Sequence, residues 1–137
     1  MSTRKSRIAL WSVQGILAAL FLFAGGMKLA LPLAALSRVS PLPAVFLKFI
    51  GACEVLGALG LVLPGLLRVR VGLTALAAAG LVVIMAGAVV VTVATQGVPA
   101  AGVPLLVGVL ASVVAIRRRP ARAASLLARA PRFELAQ

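Results

Sequence analysis

The chain has 137 residues, 63% of them hydrophobic, with a mean hydropathy of +1.18 and a net charge of +12. A soluble domain carries roughly 45–50% apolar residues and one of this size buries only about 60–70% of its unfolded surface, so a water-soluble fold is excluded and lipid is the missing solvent. The charge suggests nucleic acid, but Arg and Lys cluster at the termini and in short connections, not along an amphipathic face with interleaved aromatics, which argues against that class.

The first apolar run, Ile8 to Leu31, follows a basic leader (residues 1–7) holding Arg4, Lys5 and Arg7. Its 24 residues exceed the about 7–15 of a cleavable signal peptide's apolar region, so it reads as an uncleaved first span over 8–31. Trp11 near its start reads as an interfacial anchor. The second run, 44–63, is stopped by Pro64-Gly65, a pair that removes a donor and tolerates left-handed torsions. The third, 71–95, ends near Gln96-Gly97. The fourth, 98–116, has Pro99, Gly102 and Pro104 crowding its start, and its 19 residues approach the about 20 that cross a ~30 Å hydrocarbon core. A basic tail, 117–137, follows. In it Arg122, Ser125 and Arg129 share one helical face, with Ala123, Leu126, Leu127 and Ala130 around the other. A short helix on the membrane surface and a solvated basic tail both fit.

Continuous runs of this length exclude a barrel, which needs alternating segments of about ten residues, and leave helices, which satisfy every backbone group internally. With the N-terminus inside, eleven basic residues fall on the inner side and three (Lys28, Arg38 and Lys48) on the outer. The positive-inside rule then places both termini in the cytoplasm and supports an even number of spans. The expected fold is an all-α, four-transmembrane-helix bundle, multi-pass in the cytoplasmic (inner) membrane. Gly25, Gly26, Gly51, Gly57 and Gly87 are candidate points of close helix packing, as are pairs such as Ala111 and Ala115.

Ionisable groups inside the spans are few. Glu54 lies ten residues into the second span, near mid-membrane, where an unpaired carboxylate costs a few kcal/mol. It must be paired, protonated or open to a watery cavity. Lys28, near the outer end of the first span, is able to snorkel to water or to reach toward Glu54. Lys48 is six residues from Glu54, a rotation of about 240°, and points elsewhere. Thr92, Thr95 and Gln96 on the third span belong at the same level as Lys28. The polar groups are thus expected in the outer half, above an inner half of almost pure Leu, Val, Ala and Gly. The pair Lys28 and Glu54, with Thr92 and Gln96, is either a structural device that orients helices or a site for a ligand, a proton or a quinone.

The chain has no histidine and one cysteine, Cys53. That excludes Cys/His zinc sites, His-ligated haem, an internal disulfide and a Cys-x-x-Cys pair. Cys53 reads as a small packing residue; Phe21, Phe23, Phe46 and Phe49 read as packing or lipid-facing. There are no paired carboxylates, phosphate loop or Ser/His/Asp set, so no catalytic residue or metal ligand is expected, and the chain does not read as an enzyme on its own. No inverted repeat marks it as a transporter.

Phe21-Leu22-Phe23-Ala24-Gly25-Gly26-Met27-Lys28-Leu29 resembles the first-helix motif of DoxX-like membrane proteins. Phe49 to Pro64, with Gly51-x-x-Glu54-x-x-Gly57 spacing and a closing proline, resembles their second helix, and Met85-Ala86-Gly87-Ala88 their third-helix motif. The resemblance covers about Leu10 to Ile116. It implies a compact four-helix bundle in the cytoplasmic membrane. The family is named for a small subunit of a thiosulfate:quinone oxidoreductase; some eukaryotic relatives act as membrane-protein assembly factors. Many members carry a histidine shortly after the third-helix motif, where this chain has Val91 or Thr92, which argues against a role needing imidazole. Two functions remain open. One is an accessory or assembly subunit, or a binder of a hydrophobic small molecule or lipid, partnered by another membrane protein or its own copy. The other is a quinone-linked redox subunit with Glu54 and Lys28 at the site.

Overall fold

The computed structural model describes residues 3–70 and 72–120; the surface helix or basic tail expected at 121–130 lies outside them. In chain order the elements are α1 (Thr3–Ala30), α2 (Leu33–Val39), α3 (Ala44–Leu66), α4 (Gly72–Gln96), a 3-10 turn (Pro99–Ala101) and α5 (Gly102–Arg117). No strand occurs among the described residues. Four helical segments are long and apolar enough to span a membrane: α1, α3, α4 and the 3-10 turn with α5. The shortest has 19 residues and covers about 28 Å at 1.5 Å per residue. The chain is an integral, multi-pass membrane protein.

Beyond shifts of a residue, two boundaries and one added helix differ from the sequence reading. Helix α1 begins at Thr3, because Arg4, Lys5 and Arg7 are good helix formers and extend the span as straight helix. Helix α3 runs through Pro64 to Leu66 instead of stopping at Leu63. An imide ring removes only one ladder donor, and helices in lipid keep the rest of their bonds because nothing else is on offer. The stop comes at Arg68, whose φ of 53° lies in the left-handed region, while the Val69 N–H donates back to the Pro64 carbonyl at 3.0 Å. Finally, α2 stands where the sequence suggested only a connection. Pro32 and Pro41 bracket it, and buried Leu36 seats it against α3.

Around the bundle α1 packs on α3, α3 on α4 and α4 on α5, with a narrow α1–α5 seam closing the ring. The register of α1 against α3 is antiparallel: Trp11 meets Gly65, Gln14 meets Leu61 and Gly25 meets Gly51. Leu17 and Phe21 of α1, Leu61 of α3, Leu81 of α4 and Val114 of α5 fill the centre. Phe23, Val83 and Val103 stand outward, each more than 70% exposed. Apolar surface left bare on this scale marks a lipid-facing wall. Lipid competes for apolar side chains, so close van der Waals packing and internal polar bonds must hold the helices together.

Candidate polar cavity between the helices

The candidate site begins with two glycines. A Cβ on Gly25 would lie 2.6 Å from the Gly51 carbonyl oxygen; one on Gly51 would lie 3.0 Å from the Gly25 oxygen and 2.8 Å from the Lys28 Cβ. No larger residue fits at either place without parting α1 from α3. Gly57 admits Leu81 of α4 in the same way. Gly26 and Gly87, expected among the packing glycines, have nothing within 4 Å of an added Cβ. Gly26 faces open space, and Gly87 lines a cavity.

The close crossing brings Lys28 of α1 against Glu54 of α3. The Lys28 Nζ donates to Glu54 Oε2 at 2.7 Å and to Oε1 at 3.0 Å. The Glu54 side chain is 3% exposed and that of Lys28 28%. A carboxylate so placed has no water to solvate it, and the ammonium supplies both opposite charge and hydrogen bonds. An ammonium has three protons; two serve Glu54 and one is uncommitted among the described residues. Lys48 does not join the pair. Its Nζ donates to the Leu29 carbonyl at 2.7 Å, in the last turn of α1, where carbonyls lack helical partners and the dipole favours a cation.

Lys28 also forms part of the wall of a cavity of about 570 Å³, within the range of roughly 300–1,000 Å³ usual for small-molecule sites. Met27 of α1, Leu31 just beyond it, Leu36 of α2, Phe49 and Cys53 of α3, and Ile84 and Val91 of α4 give it an apolar lining. Thr92 and Gln96, one turn apart on α4, add polar groups on the wall they share with Lys28. Thr95 lines the same end, but its hydroxyl donates to its own helix, at the Val91 carbonyl (2.8 Å). Phe46 and Phe49, both cavity-lining, stack with ring centroids 6.3 Å apart. Glu54 is behind Lys28 and does not line the space. A molecule in the cavity therefore meets mostly hydrocarbon, one neutralised ammonium, the hydroxyls of Ser40, Thr92 and Thr95, and the Gln96 amide.

A second polar group stands in the half where the sequence reading expected almost pure Leu, Val, Ala and Gly. Gln14 of α1 is 1% exposed. Its Nε2 donates to the Leu61 carbonyl at 2.6 Å, and its Oε1 accepts from the Arg118 Nε at 2.9 Å. The Arg118 guanidinium lies 5.3 Å from the centroid of Trp11, whose ring packs against Gly65. Burial, and then the charge of Arg7, push the Arg118 pKa down from its ordinary value. The signal available in sequence was a lone amide within an apolar run, since an unpaired amide in lipid is costly.

A sequence model described as the DoxX-like family matches residues 12–114. No curated protein and no solved structure matches the chain.

Proposed function

The chain belongs to the DoxX-like family, and from that premise we propose that it is a non-catalytic accessory protein of the membrane that holds a hydrophobic small molecule in the α1–α4 cavity. The observation that carries this reading is the uncommitted proton of the Lys28 ammonium beside an apolar cavity of about 570 Å³. Glu54 cancels the charge, so the site does not require an anion. Lys28 instead offers a hydrogen bond to a neutral acceptor, a carbonyl or ether oxygen, at the polar end of an apolar molecule. Thr92 and Gln96 are placed to serve the same end.

A quinone is one molecule with such oxygens, and this supports the redox-linked reading as the alternative. Lys28, not Glu54, is then the contact group, because both oxygens of Glu54 are taken by Lys28. Thr92 supplies a hydroxyl that does not titrate near neutral pH, so a proton would have to pass through the Lys28–Glu54 pair.

The membrane assignment follows the charges. Eight cations of the described residues lie at the end where α1 begins and α5 finishes, and three at the other. The positive-inside rule puts the first end in the cytoplasm, and the cavity then opens toward the outer face of the cytoplasmic membrane.

The test is native mass spectrometry of full-length protein from gently solubilised membranes, with solvent extraction of retained molecules. A stoichiometric apolar molecule carrying oxygen acceptors is expected in the wild type and reduced in a Thr92→Val, Gln96→Leu variant, which leaves the ion pair intact. Empty wild-type protein, or equal retention in the variant, would overturn the assignment. An extracted quinone selects the redox reading.

A further inference from the structure

The end of the bundle with eight cations has no carboxylate among the described residues, since Glu54 is at the other end with Lys28. Arg7 and Arg118 are near enough for one charge to act on the other. One terminal nitrogen of Arg118 is buried and without a hydrogen-bond partner among the described residues, a condition that polar groups avoid. Trp11 lies under Arg118 and also lines a cavity of about 600 Å³, walled by Arg4, Arg7, Ile8 and Ser12 of α1. The Ser12 hydroxyl is taken by the Ile8 carbonyl, so among the described residues the free side-chain donors of the wall are the two guanidinium groups and the Trp11 indole N–H.

We propose that this cleft binds the phosphate of one anionic phospholipid. Arg4 and Arg7, both exposed, reach the phosphate with forked hydrogen bonds, the geometry guanidinium groups favour for that ligand. Trp11 sits at the boundary of headgroup and acyl chain. Arg118 is a positioning residue: it holds Trp11 by its cation–π contact, and the lipid's negative charge relieves the field of its stranded nitrogen. The acyl chain explains what a free phosphate leaves unused. Below the cleft Ile16 and Leu20, eight and twelve residues on from Ile8 in its wall, stand 60% and 48% exposed, and Phe23 is 72% exposed. That row lies on one helix face, with open space at Gly15 for a chain to lie in.

The experiment offers full-length protein an equimolar mixture of phosphatidylglycerol and phosphatidylcholine in detergent and counts retained lipids by native mass spectrometry. Wild type retains one phosphatidylglycerol, preferred by about tenfold or more given two surface cations. Arg4→Gln with Arg7→Gln, exposed positions that spare the fold, removes the preference. Arg68→Gln with Arg70→Gln, which removes equal charge at the same end, keeps it. Equal losses in the two double variants, or no preference in the wild type, reduce the effect to diffuse attraction and overturn the site. Displacement of the lipid by millimolar inorganic phosphate would assign the cleft to a free anion instead. A rise in retention on Glu134→Gln would show that the chain's own second carboxylate occupies it, with the same consequence.

Discussion

Replacing one member of the Lys28–Glu54 pair tests what holds α1 to α3. Lys28→Met leaves a carboxylate that is 3% exposed with no partner. Removing one member of a buried pair costs about 3–5 kcal/mol, and a short glutamate in mid-helix has no route to water. Glu54→Leu leaves the ammonium, but Lys28 is 28% exposed and two residues from the end of α1. It relocates toward the interface, so its loss is smaller, about 1–3 kcal/mol. The order of the two single variants is therefore set by side-chain reach, not by charge. In the double variant both desolvation costs vanish, and the protein unfolds within about 1 kcal/mol of wild type. The coupling energy from this cycle, the two single losses taken against a double variant that matches wild type, is about 4–8 kcal/mol.

The measurement is equilibrium unfolding in mixed micelles by sodium dodecyl sulfate, read through Trp11, the chain's one tryptophan. Additive single and double effects, agreeing to about 0.5 kcal/mol, would show that the two charges do not depend on each other. Glu54→Leu more damaging than Lys28→Met would refute the argument from reach. The double variant also separates structure from function: if it is stable and still retains the bound molecule, the pair orients helices and Lys28 is no ligand contact.

Further perturbations address the rest of the frame. Gly51→Ala drives a methyl to 2.8 Å from the Lys28 Cβ and is expected to destabilise by about 1–3 kcal/mol, whereas Gly26→Ala, which meets nothing, is neutral or stabilising by up to about 1 kcal/mol; both are read from the same unfolding curves. Arg68→Gly removes a side chain from a φ of 53° and should stabilise by about 1 kcal/mol, seen as a higher melting temperature. Arg118→Met strands the Gln14 Oε1 and strips the cation from Trp11, a loss of about 1–3 kcal/mol. It should also shift Trp11 emission and raise hydrogen exchange in α5 above that in α3, because the α1–α5 seam is the narrowest. An unchanged spectrum and uniform exchange would show that Arg118 does not close the ring.

What could be read from the residues alone depended on whether the physics was local. Span length, hydropathy and flanking charge are properties of contiguous segments, and they located four helices with boundaries off by a few residues. Even the errors were local matters resolved by lipid: Pro64 breaks helices in water, where a freed carbonyl finds solvent, but not in a bilayer that offers it none. Lys28 and Glu54 were legible as partners because two opposite charges stranded at similar depth have few other choices. Gln14 was not, because its partners Leu61 and Arg118 lie 47 and 104 residues away and neither announces itself as the complement of an amide. The same distinction explains the glycines. Gly25 and Gly26 are adjacent and chemically identical, yet only Gly25 meets α3. Neighbours on a helix point about 100° apart, so the crossing selects one of them, and which one is a fact about the other helix.

The two polar clusters sit in opposite halves of α1, and each ties it to α3. Lys28 reaches the Glu54 side chain near one end, and Gln14 reaches the Leu61 carbonyl near the other. Between them lies apolar packing, closest where Gly25 meets Gly51. The polar clasps thus specify the register, since sliding α1 by one turn would leave a carboxylate, an ammonium and an amide unmatched in hydrocarbon. The cavity lies on the α4 side of the Lys28 clasp, and its shape depends on that register. A ligand that bonds to the uncommitted Lys28 proton therefore adds to a contact the fold already requires, which is why stability and retention must be measured on the same variants.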